Sequence, residues 1–287
     1  MVNPSDTPPD PYAFPKDYTS DPVTTPYAGK KRVANAVCVV TGATGGIGAA
    51  TVVRLAEEGA KGVVVVDLDQ AKCDSFVEKL QQSKTCGQTQ FLARAADVTK
   101  EEDIEGIFKA AMDKWGKVDV AVANAGTGTA LRGITEETVE NMEKINRVNS
   151  IGVFLTIKHA AKVMRPDPKV PGTASIIVIS STTGLFPAPL LYPYSTSKWA
   201  ARGLGLSSAA ELGPRGIRVN NVHPGGTMTP LLRGGFSTET LERIRKSYPL
   251  RRLANPVEIA NTILFLASDE SSFVTGATLE VSGGACM

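Results

Sequence analysis

Short runs that are apolar from end to end punctuate this chain, and helical patterns separate them. "NAVCVV" at 35–40, "GVVVVD" at 62–67 and "VDVAVANAG" at 118–126 show no polar face over most of their length. A strand with one face in water alternates apolar and polar residues, so a strand without that alternation is buried on both faces. Between the runs lie "IGAATVVRLAEEGA", whose helix ends at Gly59, "QAKCDSFVEKLQQS" and "EEDIEGIFKAAMDKWG", with apolar positions at helical spacing. "TQFLARAAD" supplies a third strand. The alternation continues through a helical stretch over roughly 135–165, "ASIIVISS", the helix "YSTSKWAARGLGLSSAAEL", "IRVNNVHPGG", "PVEIANTILFLAS" and "TLEVSGG". Only a segment near 228–250 has no clear period.

Strands buried on both faces and alternating with amphipathic helices predict a parallel sheet covered by helices on each side. Seven strands with no internal linker predict an α/β fold: a single doubly wound, Rossmann-type domain over 33–287 with a seven-stranded parallel sheet. Residues 1–32 are rich in Pro, Asp, Thr and Tyr and have no period. Proline removes backbone donors and opposes both regular structures. Two readings stand for this extension: a tail, or an arm held on the body or on a neighbouring subunit by Tyr12, Phe14, Tyr18 and Tyr27.

The 287 residues carry 31 basic and 29 acidic side chains, a net charge of +2, without a basic stripe, so no nucleic-acid partner is expected. Cys38, Cys73, Cys86 and Cys286 are widely spaced, and only His159 and His223 could join them, so no metal site is expected. Cys38 reads as a small buried hydrophobe and His159 as a helix-face residue. No apolar run approaches the roughly 18 residues of a membrane span, and the N-terminus lacks a leader pattern. The expectation is a cytoplasmic protein with no membrane partner.

"TGATGGIG", Thr41 to Gly48, follows the first strand and opens the first helix. Its glycines permit a tight turn and close approach of a pyrophosphate, which the helix N-terminus would hold through unpaired N–H groups. Asp67 ends the second strand, about 20 residues on, at the place of an acid that accepts bonds from ribose hydroxyls. A 2′-phosphate would be repelled there, and Thr44 and Gly45 offer it no cation. NAD(H) is therefore expected, with NADP less favoured.

These motifs stand in a fixed order with "DV" at Asp97–Val98, "NAG" at Asn124–Gly126, "VNSIG" around Asn149, "ISS" ending at Ser181, "YSTSK" from Tyr194 to Lys198, and "HPGGTMT" from His223 to Thr229. Over 34–285 the chain resembles a classical short-chain dehydrogenase/reductase. The resemblance implies a catalytic tetrad of Asn149, Ser181, Tyr194 and Lys198. It further implies a dinucleotide site built from Gly42, Thr44, Gly46, Ile47, Gly48, Asp67, Leu68, Asp97, Val98, Asn124, Ala125 and Gly126. Pro224, Gly225, Thr227 and Thr229 would join Tyr194 and Lys198 towards the nicotinamide end. Thr227 departs from the branched apolar residue usual in the family. A homo-oligomer, tetramer or dimer, is also implied, with interfaces on the helices near 101–115 and 135–165 or on the one carrying Tyr194.

Tyr194 and Lys198 stand four apart on a helix and share a face. A nearby ammonium favours the phenolate, which predicts a phenol usable as acid and base near neutral pH. In this reading Ser181 holds the substrate oxygen, Lys198 the nicotinamide ribose, and Asn149 interrupts its helix to hold a water. Taken singly, Ser181 could be a cap, Asn149 a surface amide, Tyr194 a half-buried aromatic and Lys198 a solvated charge. His223 has no acid partner at an evident spacing and is not read as a base. The stretches 182–193 after Ser181 and 230–252 after Thr229 should line the substrate cleft, and Thr183, Phe186, Tyr192, Gly226, Leu231 and Leu232, with Leu185 and Leu191, predict a mostly apolar wall. Arg233, Arg251 and Arg252 leave an anionic substrate open, and Gly234–Gly235 could hinge a lid. The expected activity interconverts a hydrophobic secondary alcohol, cyclic ones included, and its ketone. The alternatives are imine reduction or a nucleotide-assisted cyclisation on the same scaffold, and a nucleotide-binding protein without turnover.

Overall fold

The computed structural model describes residues 31–166 and 174–285. Apart from Lys31 and Arg32, the proline-rich extension lies outside the described residues, as do Cys286 and most of the loop 165–173.

Seven strands form one sheet in the order β3-β2-β1-β4-β5-β6-β7, every neighbouring pair parallel. They are β1 (Val37–Thr41), β2 (Gly62–Asp67), β3 (Gln90–Ala95), β4 (Val120–Ala123), β5 (Ala174–Ile179), β6 (Ile217–Pro224) and β7 (Thr278–Val281). The helices between them are α1 (Gly46–Glu57), α2 (Gln70–Gln82), α3 (Glu101–Trp115), α4 (Val139–Asn146), α5 (Gly152–Val163), α6 (Tyr192–Leu212), α7 (Pro230–Gly235), α8 (Thr238–Ser247) and α9 (Pro256–Ala267). The expected α/β fold with seven parallel strands is therefore present.

The missing alternation has its structural reason in two cores. Val37, Val39, Val64 and Val66 point to one face, against Ile104, Phe108, Leu155 and Ala201 of α3, α5 and α6. Cys38, Val40, Val63 and Val65 point to the other, against Val52, Leu55, Ile259 and Ile263 of α1 and α9. Each fully buried valine or leucine contributes about 1.5–3 kcal/mol relative to exposure, so both faces must be apolar. Local signals fix the helix ends. Asn255 and Glu258 form a reciprocal capping box at α9, and Gly116 closes α3 at φ 75°.

The helix over 135–165, expected to be interrupted at Asn149, divides into α4 and α5 around a π-helical turn, Arg147–Ile151. Such turns insert an extra residue and are frequent at functional sites. The aperiodic segment near 228–250 forms α7 and α8, neither of which buries a residue. Gly234 and Gly235 sit in the last turn of α7. Among the described residues, no helix is long and apolar enough to cross a membrane, and no three His, Cys, Asp or Glu side chains converge as a metal site would require.

Candidate active site

A cleft of about 870 Å³ opens beyond the C-terminal ends of β1, β2, β4, β5 and β6. Ligands of doubly wound sheets bind there because strand ends and helix N-termini converge on it. The turn after β1 forms one wall. Gly42 has φ 63° and Gly46 φ 46°, left-handed values that side chains oppose. A Cβ on Gly48 would overlap the carbonyl oxygen of Gly42, so only glycine lets α1 enter this close to the turn. No side chain caps the N-terminus of α1, and no acidic residue occupies its first turn. Its N–H groups and positive dipole end therefore face the cleft ready for an anion.

Asp67 stands at the end of β2 on the same wall. Its Oδ2 accepts from the Thr44 N–H at 3.1 Å and the Thr44 hydroxyl at 2.7 Å, and its Oδ1 from the Leu68 N–H at 2.9 Å. The carboxylate is thus aimed by the glycine turn, and Oδ1 keeps a lone pair for another donor. Asp97 accepts from Thr99 through backbone and hydroxyl, at 2.9 and 2.8 Å. Burial alone would raise its pKa, but these bonds, with Lys100 and Arg147, hold it below the ordinary value. Asn124 donates to the Thr41 and Gly42 carbonyls at 2.8 and 3.0 Å, tying β4 to the turn.

At the far end, β5 and α6 bring three chemically active side chains together. Ser181 follows β5 and accepts from the Thr183 N–H at 3.2 Å, which makes it a cap as well. Its hydroxyl stands beside the Tyr194 phenol and pulls that phenol's pKa down. Ser180 spends its hydroxyl on the Lys198 carbonyl at 2.8 Å. Lys198 is buried, its ammonium donating to the Ile179 carbonyl at 2.9 Å and lying 5.7 Å from the centre of the Tyr194 ring. Burial lowers its pKa from 10.5 to about 8. Burial also raises the Tyr194 phenol above its ordinary 10, against the opposing pull of the Ser181 hydroxyl. This corrects the expectation of a phenol drawn down by the ammonium: desolvation dominates in the protein alone.

Asn149 is fully buried and lies behind the wall rather than on it. Its amide accepts from the Thr127 N–H at 2.8 Å and donates to the Thr127 carbonyl at 2.9 Å and to Ser197 Oγ at 3.0 Å. Ser197, unnoticed in the sequence, donates in turn to the Tyr194 carbonyl at 2.7 Å, so the π turn is tied to the first turn of α6.

Most of the residues expected at the dinucleotide line the cleft. Thr44 and Gly48 do not: one supports Asp67, the other seats α1. Of the expected substrate wall, Thr183, Phe186, Gly226, Leu231 and Leu232 line it, whereas Tyr192 and Leu185 do not. Phe236, Ile244 and Tyr248 line it within the stretch 230–252 expected there, and Lys144, on α4, lines it without a sequence signal. Thr127, Gly128 and Thr129 could have been found as the direct continuation of "NAG". Thr227 is buried and satisfies its hydroxyl on the Gly225 carbonyl at 3.0 Å, so the departure from an apolar residue leaves no unpaired group.

A sequence profile of the family described as enoyl-(acyl carrier protein) reductase matches residues 42–286. The chain is 40% identical over 256 residues to trans-4-hydroxycyclohexanecarboxylate dehydrogenase of Sinomonas cyclohexanicum, covering 88% of this chain and 93% of that protein. It is 37% identical over 252 residues to a short-chain dehydrogenase/reductase of Hericium erinaceus, covering 88% and 98%. The chain belongs to the short-chain dehydrogenase/reductase family. It is therefore an oxidoreductase acting on alcohol groups, and its family works with a nicotinamide dinucleotide. A third relative, 2,5-dichloro-2,5-cyclohexadiene-1,4-diol dehydrogenase of Sphingobium indicum, is 35% identical over 253 residues, covering 88% of this short-chain dehydrogenase/reductase and 97% of its own length. The uncapped α1 terminus and the crowded glycine turn fit the pyrophosphate of such a dinucleotide.

Proposed function

We propose that the protein is an NAD(H)-dependent enzyme interconverting a hydrophobic cyclic secondary alcohol and its ketone. The observation that carries this reading is the meeting of Tyr194, Ser181 and Lys198 at one end of a cleft whose other end presents a glycine turn and Asp67. Asp67 supports NAD(H) over NADP(H), because its carboxylate accepts from ribose hydroxyls and repels a 2′-phosphate. The ring-bearing substrates in the names of two relatives, and the apolar side chains Phe186, Leu231, Leu232, Phe236 and Ile244, support a cyclic apolar substrate.

Gly42, Gly46 and the α1 terminus would hold the pyrophosphate, Asp67 the adenosine ribose, and Asp97–Val98 the adenine of a dinucleotide whose nicotinamide would supply hydride acceptance or donation. Ser181 donates its hydroxyl hydrogen bond to the substrate oxygen. Tyr194 takes the alcohol proton at its phenolic oxygen during oxidation and returns it during reduction. A phenol raised by burial is fully protonated at neutral pH, which suits reduction directly; oxidation therefore gains as pH rises. Lys198 supplies the positive charge beside the phenol and would hold the nicotinamide ribose. Asn149 acts from behind the wall by fixing Thr127 and, through Ser197, the start of α6.

The protein would act in the cytoplasm as a homo-oligomer, tetramer or dimer. The exposed Ile151, Phe154, Trp199 and Leu206 around α5 and α6 support an interface there. The test is initial-rate oxidation of cyclohexanol with NAD⁺, followed by nicotinamide absorbance. Tyr194→Phe should lose about 10³-fold in kcat while keeping NADH affinity. Full turnover by that variant would remove tyrosine acid/base chemistry.

A further inference from the structure

His223, the residue before Pro224 at the end of β6, takes no part in the chemistry above, yet it is fully buried beside the catalytic end of the cleft. Its Nδ1 lies 2.8 Å from the Ser181 main-chain carbonyl. A carbonyl only accepts, so Nδ1 carries the proton and Nε2 presents a lone pair. The same carbonyl accepts from the Gly184 N–H at 2.9 Å, and the preceding Ser180 N–H donates to the Val222 carbonyl at 2.8 Å. The main chain around Ser181 is thus held from β6 on one side and by its own turn on the other.

Nε2 faces a second arrangement. It has no hydrogen-bond partner among the described residues, nor do Nε of Arg202 or either amide atom of Asn221. Asn221 precedes His223 by two and points to the same face of the sheet. A Cβ on Gly205 would overlap the Asn221 amide, so α6 crosses β6 in contact here, with Arg202 one turn earlier on the helix. The charged groups facing the imidazole are Arg202 and Lys198 on α6 and Glu280 on β7. Burial, with Arg202 and Lys198, holds the imidazole below its ordinary pKa, while the Ser181 bond and Glu280 push the other way.

We infer that His223 is a positioning residue: a neutral imidazole whose Nδ1–H clamps the Ser181 carbonyl and so aims the Ser181 hydroxyl at the substrate oxygen. The clamp itself is geometric, and its effect on rate rests on the proposed reaction. Because Nε2 remains unprotonated, the imidazole adds no third cation beside Lys198 and Arg202. An asparagine at 223 keeps an N–H close to the place of Nδ1; a leucine keeps the volume and removes the donor.

The experiment compares wild type, His223→Asn and His223→Leu in cyclohexanol oxidation with NAD⁺, together with imidazole ¹⁵N NMR of the wild-type protein. Expected are an Nδ1–H tautomer that stays neutral through the ordinary histidine range, in keeping with its burial, and kcat within about 3-fold of wild type for His223→Asn. His223→Leu should lose about 10- to 100-fold in kcat, the size of a misplaced catalytic group, with KM for NAD⁺ and the unfolding temperature unchanged. Equal loss in both variants, or loss of kcat in step with NAD⁺ affinity and unfolding temperature, would overturn the positioning role. An Nε2–H tautomer would overturn the clamp. A wild-type enzyme inactive on cyclic alcohols would sink the reaction and the effect on rate with it, while the NMR spectrum still decides the clamp.

Discussion

The two halves of the cleft are built on opposite terms. On the dinucleotide side, polar side chains of the wall are tied in place: Asp67 to Thr44 and Asn124 to Thr41 and Gly42 across strands, and Asp97 to Thr99 within its own turn. On the substrate side, α7 and α8 bury no residue, and Phe186 and Leu231 stand 43% and 49% exposed. The first half is fixed by the same packing that folds the sheet. The second is held by caps and a few contacts, such as Tyr248 accepting from the Gly226 N–H at 2.7 Å. Common chemistry is thus placed on the core, and selectivity on a surface that the core does not constrain.

Variants can break this contrast, beginning with the most severe. Gly48→Ala forces a methyl onto the Gly42 carbonyl. It should cost about 3 kcal/mol in urea unfolding, at the upper end of overpacking effects, and abolish NADH binding in a fluorescence titration. Asp67→Ser removes the charge that opposes a 2′-phosphate. The ratio of NADPH to NADH affinity should rise about 10- to 100-fold, the size of a relieved like-charge contact; an unchanged ratio would locate the selectivity elsewhere.

Lys198→Met probes where catalytic function opposes stability. The folded pKa of about 8 lies below the ordinary 10.5. Between these values the unfolded chain binds more protons, so stability rises with pH across that window, and the full cost of burying the charge is present below about 8. The methionine variant should therefore be about 1–2 kcal/mol more stable at pH 7, after the lost bond to Ile179 is deducted, with this advantage fading towards pH 10.5. Unfolding at several pH values measures it, and a variant less stable at pH 7 would contradict the burial cost. Leu231→Ala should have the smallest effect: KM for cyclohexanol up about 5-fold, the size of lost apolar contact, with stability changed by less than about 0.5 kcal/mol.

The same contrast explains what the sequence disclosed. Valine-rich strands such as Val63–Val66 must be apolar on both faces, so their burial is written in composition alone, and with it the sheet. Glycines at 42, 46 and 48 are legible because the turn tolerates nothing larger. The interruption at Asn149 is legible from the motif around it, whereas its form, a π turn at Arg147–Ile151, is not, since one extra residue in a helix hardly disturbs its period. Phe236, Ile244 and Tyr248 lie in the stretch expected at the cleft, but nothing singles them out within it, because exposed helices impose no repeat. The direction of the Tyr194 shift was misread for a related reason. Spacing showed the neighbouring ammonium, whereas desolvation depends on packing from elements distant in the chain.

A crystal structure of the protein with NADH bound addresses the central convergence most directly. Expected is a nicotinamide ring between Tyr194 and Ser181, leaving room for a substrate carbon about 3–3.5 Å from the transferable hydride, with Lys198 turned from the Ile179 carbonyl to the ribose. A ring directed out of the cleft, or an adenine end making no contact with Asp67, would contradict it.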